Sequence, residues 1–329
     1  MHRFLTRGPL VRRVLAAAAA LALTVTATAC GSSGSSSTTT PEGNTALKVG
    51  VISIVDVAPI YLGVSKGFFK EQHLDLTLET AQGGAAIVPG VMSGQYQFGF
   101  SNTTSLLLAQ SQGLPVKVVS SGNSSTGTPG KDFGAVIVKP DSPIKTAADL
   151  AGKKIAVNTL KNINTTTINS VVRQAGGDPS KIQYVELGFP DIAAAVAKGD
   201  VDAGQVVEPF LTIATQQGDR QVVSNYAGTD PNLEVGMYFS SQQYLQKNPQ
   251  VAQEFTAAMQ KSLTYAQEHP DEARAILSSY TKIDPKVQAA MILPKWSPDI
   301  DKAAVQKLAD LAQQDGLITK PADVTALLP

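Results

Sequence analysis

Cysteine is almost absent from this chain, with Cys30 alone in 329 residues. No disulfide can form within it, so the fold cannot depend on one even in an oxidising compartment. The same scarcity excludes a CxxC redox or zinc motif and leaves no cysteine nucleophile beyond position 30. Histidine occurs only as His2, His73 and His269, and neither HExxH nor GxSxG is present. Zinc-protease and nucleophile-elbow chemistry therefore have no support. Charged residues make up 16%, with 27 basic balanced by 27 acidic. A chain with no basic excess lacks the electrostatic footprint of nucleic-acid binding. Aromatic residues are 6%, and Tyr61, Phe68, Phe69 and the sole tryptophan, Trp296, are expected in packing rather than as ligand platforms. The apolar run from Val14 to Ala27 falls short of the about 20 residues that a membrane span requires.

What precedes that run gives it a meaning. Arg3, Arg7, Arg12 and Arg13 open the chain with no acidic residue among them, and small residues close the run. A cationic start, a short apolar stretch and small residues read as a secretory signal over residues 1–29. Loss of those four arginines leaves a mildly acidic body. Ala27-Thr28-Ala29-Cys30-Gly31 resembles the bacterial lipoprotein cleavage pattern. The resemblance implies that Cys30 becomes the first residue and carries a lipid; an ordinary cleavage site with a spare thiol is the alternative. GSSGSSSTTTPEGNT, after Cys30, has nothing to bury, so residues 30–45 are expected to tether a folded body to the outer face of the cytoplasmic membrane.

From Leu47 short apolar runs alternate with amphipathic stretches: LKVGVIS, APIYLGVSKGFFKEQ, DLTLET, GAAIVPGVMSG, YQFGFS, TSLLLAQSQG and PVKVVSSG. Strands of this length between helices of about ten residues predict βαβ units and a largely parallel sheet. A second series runs from FGAVIVK to RQVVS. After about Gly236 the pattern predicts helices only. The expected body is α/β, with two lobes and two crossover strands: 46–135 as the first part of lobe 1, 136–235 as lobe 2, and 236–329 as a helical part packing back on lobe 1. Open α/β sheets bind ligands at the carboxyl ends of their strands, so the cleft between the lobes is the expected site.

Residues 58–122, followed by ADLAGKKIAV (148–157) and KGDVDAGQVVEPF (198–210), resemble the solute-binding proteins of ABC importers for aliphatic sulfonates, taurine, nitrate and thiamine-precursor pyrimidines. The shared landmarks are GFF at 67–69 and SGQYQFGF at 93–100, in the same order. The resemblance implies a type II periplasmic-binding fold, lobe closure on a small solute, and delivery to a permease with its ATPase. The family also includes pyrimidine synthases with a cysteine-rich motif, which this chain lacks. No cofactor, no metal and no enzymatic activity is expected, and the protein is expected to be a monomer.

Six loops carry the candidate binding residues. Asp56 and Pro59 follow the first strand, where proline suits a first helical turn and Asp56 either caps that helix or meets ligand. Gly83 and Gly84 permit a tight turn or close backbone approach, and no Gly-Lys-Ser/Thr follows to make a P-loop. Ser101, Asn102 and Thr103 open a helix with hydroxyl and amide groups that suit a neutral polar group or an oxyanion. Asn158, Leu160, Asn162, Asn164 and Thr165 form a donor-rich stretch before another helix, where Lys161 is either a countercharge or simply solvated. Glu208 sits at a strand-to-helix junction, where a carboxylate gains about 0.3–1 kcal/mol from the helix dipole; the resemblance places it at the cleft rim. Pro190, with Phe189 and Asp191, opens a further helix.

No arginine occurs in these loops, which weighs against a carboxylate clamp of the amino-acid binders. Helix N-termini and neutral donors favour a small anion such as a sulfonate, taurine or nitrate. Asp56 and Glu208 favour an amine-bearing heterocycle. The anion is the preferred expectation, and a ligand-sensing module that signals to a membrane partner is the rival role.

Overall fold

The computed structural model describes Thr40 and residues 43–329, so Cys30, the expected signal over 1–29 and most of the expected tether lie outside the described residues. Along the chain, β1 (Thr45–Val51), α1 (Ala58–Ser65), β2 (Leu74–Thr80), α2 (Gly84–Met92), β3 (Phe98–Asn102), α3 (Thr103–Ser111) and β4 (Val116–Ser124) come first. Next are β5 (Gly134–Val138), β6 (Lys154–Val157), α4 (Ile163–Gln174), β7 (Gln183–Glu186), α5 (Phe189–Lys198), β8 (Ala203–Val207), α6 (Phe210–Gln216), β9 (Arg220–Val223) and α7 (Asn225–Thr229). β10 (Glu234–Ser241) follows, and then α8 (Gln242–Lys247), α9 (Pro249–Glu268), α10 (Pro270–Ala275), α11 (Pro285–Ala290), α12 (Lys302–Gln314) and α13 (Val324–Leu327).

The strands form two five-stranded sheets, ordered β2-β1-β3-β10-β4 and β7-β6-β8-β5-β9. β1 runs parallel to β2 and β3, and β6 parallel to β7 and β8. β10 and β5 are antiparallel to their neighbours. Each follows a passage from the other lobe and enters its sheet from the opposite end, which reverses its direction. The order of each sheet doubles back between β1 and β3, and between β6 and β8. Loops after those strands diverge and leave a crevice at the switch point.

β10 differs from expectation. Met237–Ser241, expected to begin a helix, continues the strand, paired with β3 on one side and β4 on the other. All of β10 is buried, so it shows no period-two alternation that would mark it as a strand. Downstream of Ser65, Gly67 turns into the left-handed region at φ 80° and ends the first helix, so GFFKEQ is a turn and a short 3-10 segment instead of a continued helix.

Packing ties the C-terminal helices to the first sheet. Phe255 of α9 stacks on Phe98 of β3 with ring centroids 3.9 Å apart, and burying such a side chain contributes about 1.5–3 kcal/mol. α12 lies against α3 of the first lobe and α4 of the second. Tyr61 stacks on Tyr280 at 3.9 Å, and Phe69 packs against Phe255. α2 seats closely on the first sheet because β3 offers it a glycine: a Cβ on Gly99 would come within 2.5 Å of Ile87.

Candidate ligand site between the lobes

The loops at the two switch points enclose a cavity of about 30 Å³, room for about two water molecules. Its polar wall is Asp56, Asn102, Asn158, Asn162, Asn164 and Tyr226. Phe100, Phe189, Ile52, Ile54, Val207 and Val235 are among its apolar wall, and no lysine, arginine, histidine or cysteine lines it.

Asp56 is the one charged group in that wall. It lies in a 3-10 turn over Val55–Val57, and α1 has Val57 as its N-cap with no side-chain cap bond, so Asp56 does not cap it. One carboxylate oxygen, Oδ1, accepts a hydrogen bond from Asn123 Nδ2 at 3.0 Å. The other, Oδ2, is buried with no partner among the described residues. Burial pushes the carboxyl up to about 7, more than its own N–H and Asn123 pull it down. Behind it, Trp296 Nε1 donates to the Asp56 carbonyl at 3.3 Å. Asn123 Oδ1 and Gln205 Oε1 are likewise buried without partners. Tyr226 donates to Asn164 Oδ1 at 2.6 Å.

The second-lobe loop is self-satisfied. Asn162 Oδ1 caps α4 by accepting from the N–H groups of Asn164 at 3.0 Å and Thr165 at 3.4 Å. Asn162 Nδ2 donates to Asn158 Oδ1 and Thr159 Oγ1, each at 2.8 Å, and Asn164 Nδ2 donates to the same Asn158 oxygen at 2.8 Å. Across the gap, Asn102 Oδ1 accepts from Ile163 N at 3.3 Å while also capping α3 through Ser105 N at 2.9 Å. Thr166 N donates to Asn162 O. The first four N–H groups of α4, which a helix leaves free for an anion, are all used.

Glu208 faces elsewhere. Its carboxylate accepts from Thr212 N at 3.0 Å, Thr212 Oγ1 at 2.8 Å and Ile292 N at 3.1 Å, and burial pushes it up to about 6. It holds α6 and the segment before Trp296, and it does not line the cavity. The other candidate positions also lie outside the wall. Pro59 is buried in the first turn of α1, and Pro190 is exposed in the first turn of α5. A Cβ on Gly84 would lie 2.3 Å from Ser101 Oγ, and one on Gly83 would lie 2.8 Å from Thr159, so the glycines serve helix seating and lobe-to-lobe approach. Ser101 Oγ is buried without a partner, and Thr103 Oγ1 donates to Glu234 O at 2.6 Å. Leu160, 43% exposed, lines a separate cavity with Thr165 and Lys161.

Asn123, Tyr226 and Phe100 are site residues that sequence reasoning passed over. Asn123 carried a signal, since an amide ends a run that begins as VKVV. Tyr226 had none, because it reaches Asn164 from 62 residues away.

The lobes are closed on each other. Gln82 Nε2 donates to Asn158 O at 3.2 Å. Further out, Asp315 at the end of α12 pairs with Arg173 at 2.6 Å and accepts from Asn169 at 2.9 Å, both on α4.

Two α/β lobes around a closed crevice, joined by two passages and backed by C-terminal helices, define a type II periplasmic-binding fold. The crystal structure of the periplasmic aliphatic sulphonate binding protein SsuA from Escherichia coli matches it with a TM-score of 0.69, covering 86% of this chain and 96% of that one at 23% identity. The family model described as NMT1/THI5 like matches residues 54–273, and the chain belongs to that family. Its curated relatives differ in role. A 4-amino-5-hydroxymethyl-2-methylpyrimidine phosphate synthase of Aspergillus parasiticus is 26% identical over 229 residues, 66% of this chain and 64% of the relative. A formylaminopyrimidine-binding protein of Halalkalibacterium halodurans is 23% identical over 223 residues, again 66% and 64%. The chain thus spans just under two thirds of the length of each.

Proposed function

We propose that this protein is the extracytoplasmic solute-binding component of an ABC importer, and that its solute is a small amine-bearing heterocycle of the aminopyrimidine kind. The observation that carries this reading is Asp56 Oδ2, a carboxylate oxygen buried in the cleft with no partner and no basic side chain in the wall. An anion brought there would face an acceptor and gain no countercharge, whereas an amino group would supply the missing donor. The self-satisfied first turn of α4 weighs the same way, against the sulfonate-like anion favoured by the sequence. Phe100 and Phe189 offer ring surface to a flat heterocycle.

Closure would work by differential contact. A ligand bridging Asp56 in one lobe and the asparagine loop in the other binds the closed state better, and shifts the population towards it. Loaded closure stops short of the arrangement seen here, because the empty cleft has room for only about two waters. Catalysis is not part of the proposal: the wall supplies neither a cysteine or serine nucleophile nor a histidine base. Anchoring through a lipid on Cys30 completes the proposal from the sequence side, with the permease and its ATPase as partners.

A thermal-shift panel tests it. A ligand at 100 times its dissociation constant adds about 2.7 kcal/mol, which raises the midpoint by several degrees. Aminopyrimidines are expected to do so, and taurine, alkanesulfonates and nitrate are not. A shift with the anions alone would overturn the assignment.

A further inference from the structure

A second cavity, of about 440 Å³, opens between α9, α10 and the segment 291–296. That volume is within the about 300–1,000 Å³ typical of small-molecule sites. Three cationic side chains from three separate segments line it: Lys131 from the passage between β4 and β5, Arg274 from α10, and Lys295. No acidic residue lines it; Leu293, Ile292 and Pro270 supply apolar surface, with Trp296 and Met291 buried behind them.

The three charges are poorly compensated. Arg274 Nη2 reaches the Met291 carbonyl at 3.3 Å and Nη1 the Pro270 carbonyl at 3.5 Å, while its Nε is buried with no partner. Its one carboxylate neighbour, Asp271, stands 3.7 Å away and fully exposed to solvent. Lys131 and Lys295 form no ion pair among the described residues. The frame around them is firm. Lys295 and Ser124 exchange backbone hydrogen bonds at 2.9 and 3.1 Å, and Trp296 N donates to Gln267 Oε1 at 2.8 Å. Three cations lining one cavity beside an apolar wall are complementary to an oxyanion carried on an apolar body.

We propose that this cavity is a second binding site, for an organic anion whose oxyanion meets Lys131, Arg274 and Lys295 while its apolar part lies against Leu293 and Pro270, in front of the buried Trp296. The site is separate from the cleft and does not depend on what the cleft binds. One hydrogen bond links the two, since Trp296 Nε1 donates to the Asp56 carbonyl.

The protein provides its own reporter, because Trp296 is its only tryptophan. The experiment titrates the protein with phenyl phosphate, following tryptophan fluorescence and calorimetric heat. One equivalent is expected to bind saturably. The double variant Lys131→Gln/Lys295→Gln is expected to weaken binding at least about tenfold with an unchanged unfolding midpoint, while Lys70→Gln/Lys198→Gln, which removes two exposed charges elsewhere, leaves it intact. Absence of saturable binding at millimolar phenyl phosphate, or equal weakening in both double variants, would overturn the proposal.

Discussion

The loop after β1 and the loop after β8 each bury a carboxylate beside the cleft, and they use it in opposite ways. Glu208 has three donors, from Thr212 and Ile292, and is a structural clamp. Asp56 has one donor from Asn123 and an open oxygen in the cavity wall. Position at the end of a strand is common to both. What separates a clamp from a contact is how many hydrogen bonds the protein itself supplies, because a satisfied carboxylate has nothing left for a ligand.

Breaking each carboxylate should give opposite signatures. Asp56→Asn keeps shape and removes charge. It is expected to weaken aminopyrimidine binding by about 2–3 kcal/mol, measured by calorimetry, with no loss of thermal stability because a buried charge disappears. Glu208→Ala is expected to do the reverse. Chemical denaturation should show about 2 kcal/mol of lost stability, since the Thr212 and Ile292 N–H groups are left buried and unpaired, while affinity changes little.

Acidity sharpens the same contrast. Burial raises Asp56 to about 7, Glu208 to about 6 and Glu234 to about 8, from usual values of 3.8 and 4.5. Between the usual and raised values the folded protein holds protons that the unfolded chain has lost, so stability is full below about pH 4 and falls as pH rises through 6 to 8. Denaturant titrations should show Asp56→Asn with a flatter decline, by up to about 1.4 kcal/mol per pH unit between about pH 5 and 6, the difference fading as pH passes about 7.

The smallest expected effect concerns the outer edge of the cleft. Asp315→Asn removes the pairing of α12 with Arg173 on α4. It should open the unliganded lobes, seen as a larger radius of gyration by small-angle scattering, and leave ligand affinity unchanged or slightly tighter, by no more than about 0.5–1 kcal/mol.

Much of this was legible in the sequence for local reasons. Strand and helix runs announce themselves by apolar periodicity, and strand-to-helix junctions mark Asp56, Asn102, Asn158, Asn162 and Asn164, all of which reach the cavity wall. Properties that depend on distant partners were not legible. Glu208 is turned away by a backbone N–H 84 residues downstream. The α4 amides look free until Asn102, from the other lobe, is seen to take one of them. β10 hides its strand character because both its faces are covered.

The most direct test is a crystal structure of the protein with an aminopyrimidine, solved beside one soaked with an alkanesulfonate. The account predicts the amino nitrogen within about 2.7–3.2 Å of Asp56 Oδ2, with the hydrogen bonds joining Asn158, Asn162 and Asn164 unbroken. An oxyanion seated on the first turn of α4, with the Asn162 side chain displaced and Asp56 Oδ2 still unpartnered, would contradict it.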